Sequence, residues 1–196
     1  SNGTVKSTLL DLLMHEEDYL YTGKVLCSSS CNIGYVNQFV KQEKDRSISV
    51  FEYLSEDFLA LQEKMDLLGA AMETAEDFVS AADLYQESMD AFDAVDGYNY
   101  ESNIHRQLHT AGLTGLTGLS LASISGGEFK LLQIIRQMLK RPEFLILDEP
   151  DAFLDFDNIR GLRDLINSYS GTILAVTHNR YLLNHCFDKV LHLEDT

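Results

Sequence analysis

The residues best suited to chemistry stand at the end of one short apolar run, Phe144-Leu145-Ile146-Leu147-Asp148-Glu149-Pro150. Two adjacent carboxylates can divide labour. Asp148 could hold a hard divalent cation such as Mg²⁺, and Glu149 could take a proton from an attacking water. The bulky apolar residues before them read as a strand buried on both faces, typical of a parallel sheet, and Pro150 stops it. Open α/β sheets place their ligands at the carboxyl ends of such strands. Alone, the run also describes an ordinary core strand ending in two solvated acids. The chemistry on either side sets it apart.

Upstream, Ser1-Asn2-Gly3-Thr4-Val5-Lys6-Ser7-Thr8 reads as a loop followed by a helix from Lys6 or Ser7, with Leu9, Leu10 and Leu13 on one face. Loop N–H groups and the positive end of a helix dipole suit phosphate. Lys6 would reach terminal phosphates, and the Ser7 hydroxyl would join Asp148 on Mg²⁺. Ile124-Ser125-Gly126-Gly127-Glu128 opens a second such helix, predicted over 128–140, with Leu131, Leu132, Ile134, Ile135 and Met138 on its buried face. Gln38 closes a strand over 32–37, and Asp155 follows Pro150 closely. His178 ends another buried strand, 171–176.

In that order these stretches resemble the phosphate loop, Q-loop, signature, Walker B, D-loop and switch histidine of the ABC ATPase superfamily. Thr177-His178-Asn179-Arg180-Tyr181-Leu182-Leu183 resembles the histidine loop of the ABC-F proteins, ABC ATPases that act on the ribosome. The resemblance covers nearly the whole chain, most strongly from Ile124 onward. It implies an α/β fold: an ABC-type P-loop ATPase core with a mostly parallel sheet, plus a helical subdomain carrying an acidic helical-hairpin insertion. Residues 1–38 would be the first part of the core, 39–123 the helical subdomain, and 124–196 the signature helix with the rest of the core.

The same resemblance implies ATP and Mg²⁺ as cofactors. Asn2, Gly3, Lys6, Ser7 and Thr8 would hold the nucleotide, and Ser7, Gln38 and Asp148 would surround the metal. Glu149, His178 and Gln38 would be catalytic. Ser125, Gly126, Gly127 and Asp155 would serve a nucleotide shared with a second ATPase domain. The implied partners are that domain and the ribosome, and the implied setting is cytoplasmic. Two alternatives stay open: an ATPase subunit coupled to a membrane partner through the groove around Gln38, and a nonenzymatic domain whose acidic lobe binds a protein.

Several positions depart from the family pattern. Val5 stands where a glycine is expected, no glycine precedes Ser1, and the strand that would feed the loop is missing. The chain therefore reads as a piece cut from a domain, expected to bind ATP poorly and to hydrolyse it negligibly by itself. Ala152 and Phe153 replace polar residues of the D-loop, and Asn179 replaces the usual aspartate.

These motifs need a core to hold them, and 196 residues with 45% hydrophobic content can build one sizeable core. No run approaches a membrane span, and the start shows no secretory signal. Three cysteines (Cys27, Cys31, Cys186) make no disulfide framework, which suits a reducing compartment. Cys27 and Cys31 could be half a metal site or simply buried or loop thiols. His105 and His109, at metal-pair spacing, read better as surface or core histidines.

The net charge is −16, and the stretch from Glu52 to Glu101 carries thirteen of those excess negatives, with only Lys64 opposing fourteen acids. Phosphate binding needs cations, so this lobe is no nucleic-acid surface. Ser49-Val50-Phe51-Glu52 has capping-box spacing. From Val50 to about Asp96 the apolar steps of three and four predict two antiparallel helices that break between Thr74 and Ser80. Another helix is expected over 101–111, then an irregular Gly-rich connector over 113–119. Tyr21 to Cys27 reads as a short strand around Gly23. An amphipathic helix over 157–168, a short helix from Tyr181 and a last strand over 189–193 complete the reading.

Overall fold

The middle strand of the sheet is the apolar run before Asp148. In a computed structural model, which describes residues 2–26, 28, 31–36, 46–74 and 77–191 (side chains from Lys6 onward), strand β1 spans Ile33–Val36, β2 Phe144–Asp148 and β3 Thr172–Val176. β2 pairs parallel with β1 on one side and β3 on the other. The register sets Leu147 beside Val36 and Ala175, and Asp148 beside Val176. Leu145, Ile146 and Leu147 are at most 1% exposed, as a strand covered on both faces requires. The whole of β3 past Thr172 is only half-buried.

Seven α-helices accompany the sheet among the described residues: α1 Asn2–Met14, α2 Val50–Met72, α3 Phe78–Ala94, α4 Tyr100–Thr110, α5 Gly126–Leu139, α6 Phe156–Ser168 and α7 Arg180–Cys186. α5 is the hub. Its Leu131, Leu132, Ile134 and Ile135 are fully buried, and it packs against β1, α2, α4 and α6. Gly161 lets α6 approach the end of α4, since a Cβ there would stand 2.5 Å from the Ala111 carbonyl oxygen, and 3.3 Å from Leu131 on α5. Ser125 starts α5 with a complete capping box, its hydroxyl accepting from the Glu128 N–H while the Glu128 carboxylate accepts from the Ser125 N–H.

α2 and α3 form the expected antiparallel hairpin, and Ser49 caps α2 with the predicted box. The base of the hairpin is buried through Val50, Tyr53, Leu54, Ser55 and Phe58 on α2 and Phe92 on α3. The Gly-rich connector is more ordered than its composition suggests. It forms a 3₁₀ turn at Thr114–Leu116, and Thr117, Leu119 and Leu121 bond to the backbone at the start of α2.

Three expectations need correction. α1 begins at Asn2, not at Lys6 or Ser7, so the backbone of the presumed loop is helical. Thr4 and Val5 do not favour the left-handed conformations that would open a loop, and the helix propagates back through them. Tyr21–Leu26 is not a strand. Leu20 and Leu26 are nearly fully exposed and among the described residues no strand pairs there, without which extended backbone gains little; Cys27, the end of that prediction, lies outside the described residues. Residues 189–191 are also not a strand, and the remainder of that prediction lies outside the described residues.

Candidate functional site

The carboxyl end of β2 gathers residues from four distant stretches. Asp148 ends the strand and is 3% exposed, and the Ser7 hydroxyl on α1 donates to its Oδ1 at 3.1 Å across 141 positions of sequence. Ser7 lies in the second turn of α1, and that turn faces the sheet end. First-turn N–H groups have no partner within their own helix, so the start of α1 still offers donors to an anion. Lys6 is half-buried beside Ser7, and Thr8 is exposed. Two hard oxygen groups in contact, one a buried carboxylate, fit a Mg²⁺ ion that keeps several waters and uses few protein ligands. No cluster of three or more His, Cys, Asp or Glu suited to a metal occurs among the described residues, which is compatible with such a sparse site. Tyr35 on β1 feels the same environment: burial first, then the Asp148 carboxylate, push its hydroxyl up to about 12.

Glu149 leaves the strand in a left-handed conformation, φ 45°, uncommon for a residue with a Cβ. Its N–H donates to the Val176 carbonyl at 2.9 Å, extending the β2–β3 pairing one residue past Asp148. Its carbonyl accepts from the Ala152 N–H at 3.1 Å and from the Lys130 ammonium at 2.6 Å. Lys130 comes from the first turns of α5 and is half-buried; burial pulls its pKa down against the opposing carboxylates of Asp151, Glu149 and Asp148. Sequence reasoning did not single out Lys130. Its place three residues after Gly127, on one face of the same helix, was the available signal.

His178 stands exposed just past the end of β3. Its neighbours are fastened. Thr177 donates to Asp151 at 2.6 Å and accepts from the Asn179 N–H at 3.0 Å, which ties the turn after β3 to the turn after β2. Asn179 caps α7 by accepting from the N–H groups of Tyr181 and Leu182 at 2.9 and 3.3 Å. Asparagine caps as well as aspartate, so this departure costs the local structure nothing.

A second group lies at the starts of α5 and α6. Ser125, Gly126 and Gly127 open α5, with Ser125 and Gly126 exposed. A Cβ on Gly127 would meet Asn158 Nδ2 at 2.7 Å and Leu154 at 3.3 Å, so glycine lets the two helix starts sit together. Asp155 caps α6, accepting from the Asn158 N–H at 2.8 Å. Between them Phe153 (φ 64°) and Phe156 stand 97% and 69% exposed. Gln38, predicted to join the metal site, lies outside the described residues. Of the remaining predicted residues, Ser7, Asp148 and Glu149 converge at the end of β2. The stretch 125–127 and Asp155 form the separate group, and Lys130 bridges the two.

Comparison with known proteins gives a family and a fold. A family model described as ABC transporter matches residues 1–152. The energy-dependent translational throttle protein EttA of Haemophilus influenzae is 30% identical over 196 residues, covering 98% of this chain and 35% of that protein. The tylosin resistance ATP-binding protein TlrC of Streptomyces fradiae is 29% identical over 198 residues, covering 98% of this chain and 36% of that protein. Among solved structures, the complex of archaeal ribosomal stalk protein aP1 with archaeal ribosome recycling factor aABCE1 superposes with a TM-score of 0.58 at 19% identity, over 92% of this chain and 28% of that one. A putative metal-chelate type ABC transporter in an inward-facing conformation gives 0.54 at 24% identity, over 93% of this chain and 62% of that one. At these identities the structures speak for the fold alone. The chain spans about a third of the length of the curated relatives it matches.

Proposed function

The chain belongs to the ABC transporter family, and from that premise we propose that it is an ATP-binding and ATP-hydrolysing domain of an ABC-F-like, ribosome-associated protein. The observation that carries the reading is the Ser7–Asp148 contact at the end of the central parallel strand, with Glu149 next to it. Two relatives, a translational throttle protein and a resistance ATP-binding protein, support the ribosomal and ATP-binding parts.

In this reading Ser7 and Asp148 hold Mg²⁺ with Gln38. The ion, when bound, neutralises phosphate charge and orients the γ-phosphate for in-line displacement. Asn2, Gly3 and Thr8 give the nucleotide donors around the start of α1, and Lys6 adds a cation as charge develops on the transferred group. Glu149 takes the proton from the attacking water, and His178 positions the γ-phosphate. The start of α5 (Ser125, Gly126, Gly127) and Asp155 face a nucleotide held by a second ATPase domain. Phe153 and Phe156, both largely exposed, suit burial against that domain. Residues 1–38, 39–123 and 124–196 act as core, helical subdomain and core again, in a cytoplasmic setting. Among the described residues no helix is long and apolar enough to cross a membrane.

The chain by itself is expected to bind ATP weakly, since Val5 favours the helical start of α1 over a glycine-type loop. The test is equilibrium ATP binding, with and without Mg²⁺, by a protein that carries this domain beside a second one. Mg²⁺ should tighten binding, and Asp148→Asn should remove that gain while leaving Mg²⁺-free binding in place. An Asp148→Asn protein that keeps the full Mg²⁺ effect overturns the metal assignment. For the ribosomal part, co-sedimentation with ribosomes should depend on ATP, and its absence with and without ATP would remove that part.

A further inference from the structure

We infer that Lys130 is a positioning residue for Glu149: it holds that residue's peptide through the carbonyl oxygen and so sets the direction in which the carboxylate leaves the end of β2. This rests on the reading of Glu149 as the group that takes the proton from water. The first support is the contact itself, ammonium to carbonyl at 2.6 Å, joining the start of α5 to the end of β2 across 19 positions. Charge-assisted hydrogen bonds of this kind are the strong ones, and a half-buried donor has less water competing for it.

The second support is the backbone that Lys130 grips. Glu149 sits at φ 45°, directly before Pro150, and the residue before a proline is normally pushed to extended backbone. A left-handed residue there persists only where its surroundings over-determine it. Val176 fixes the N–H side of Glu149, and Lys130 together with Ala152 fixes the carbonyl side. Because Cβ is attached between those two peptides, fixing both fixes the side-chain direction. The third support is charge: Lys130 is a half-buried cation close to the carboxylates of Asp151, Glu149 and Asp148, so it offsets their mutual repulsion at the turn.

Two measurements test this. In the 196-residue chain, backbone carbon chemical shifts of Glu149 separate left-handed from extended or right-handed φ. The native chain and Lys130→Arg should show the left-handed pattern, and Lys130→Met should lose it. Should Lys130→Met fail to fold, Lys130→Gln, which keeps an N–H donor without the charge, takes its place and should give an intermediate shift. A Glu149 shift unchanged in Lys130→Met, or in Lys130→Gln where that variant takes its place, overturns the inference. In a protein carrying this domain beside a second one, Lys130→Met should lower kcat about 10–100-fold, the scale of loss for a group displaced by about an ångström, with KM for ATP unchanged and partial rescue by arginine. A raised KM with unchanged kcat overturns it as well. Full turnover by Glu149→Gln would refute only the assignment of Glu149 as base, and the shift experiment would stand apart from that result.

Discussion

The end of β2 and the tip of the α2–α3 hairpin both carry carboxylates, and they hold them in opposite ways. At the end of β2 each acid is tied in. Asp148 accepts from Ser7, Asp151 from Thr177 and Asp155 from the Asn158 N–H, and the Glu149 peptide is held by Lys130. At the tip, Glu63, Asp66, Glu73, Asp83 and Glu87 stand exposed, and no described residue from Leu59 to Glu87 is buried. Only the base is fastened to the core. There Asp57 accepts two bonds from Arg136, at 2.9 and 3.0 Å, and meets Lys140 at 3.2 Å, while the Arg136 guanidinium lies 4.6 Å over the Tyr53 ring. Carboxylates that must bind or react need fixed positions. Among the described acids of the tip only Asp77 is fastened, accepting from the Ser80 N–H and hydroxyl as the cap of α3, while those five acids stand in solvent, and a run of uncompensated negative charge repels phosphate.

The sharpest way to break this contrast is to shorten one leucine in each region. Leu147→Ala, fully buried in β2, should cost about 2–5 kcal/mol of unfolding free energy. Leu67→Ala, 66% exposed at the tip, should stay within about 0.5 kcal/mol. Denaturant titration of the two variants reads the difference directly, and equal losses would mean that the tip packs against something in the folded chain.

The base of the hairpin should show a smaller, pH-dependent effect. Burial pushes the Asp57 carboxyl up, but hydrogen bonding to Arg136 and the charges of Lys140 and Arg136 outweigh it, and the folded pKa lies below the ordinary 3.8. A lowered folded pKa means that the stabilisation is complete above the unfolded value and is lost as pH falls through the folded one. Asp57→Asn should therefore cost about 1–2 kcal/mol near neutral pH, less than a fully buried pair because the carboxylate is a third exposed. The gap from the native chain should close below about pH 3.8. A gap that persists undiminished into strong acid would assign the loss to packing instead of charge.

The same contrast shows what the sequence made legible. β2 with its two acids could be read because an apolar run ending in carboxylates is local, and the capping box of α2 could be read because Ser49 and Glu52 sit three residues apart. The hairpin followed from its helical periodicity. Pairings set by packing were not legible: Arg136 reaches Asp57 across 79 positions, and Lys130 reaches a backbone carbonyl, which has no residue type to betray it. Backbone conformation also escaped. Nothing in glutamate before proline announces φ 45°, and nothing in Asn2-Gly3-Thr4-Val5 announces helix once a loop motif has been recognised there. The strand expected around Gly23 failed for a related reason, since a strand is a property of a pair and the sequence shows only one member.

The central claim is that the end of β2 hydrolyses ATP, and Glu149→Gln tests it most directly. The amide keeps the shape of the side chain and cannot accept a proton. In a protein that carries this domain beside a second one made inactive, the account predicts that Mg-ATP still binds while steady-state hydrolysis falls about 10²–10⁴-fold, the usual scale for losing a general base. Hydrolysis at the native rate in that variant would contradict it.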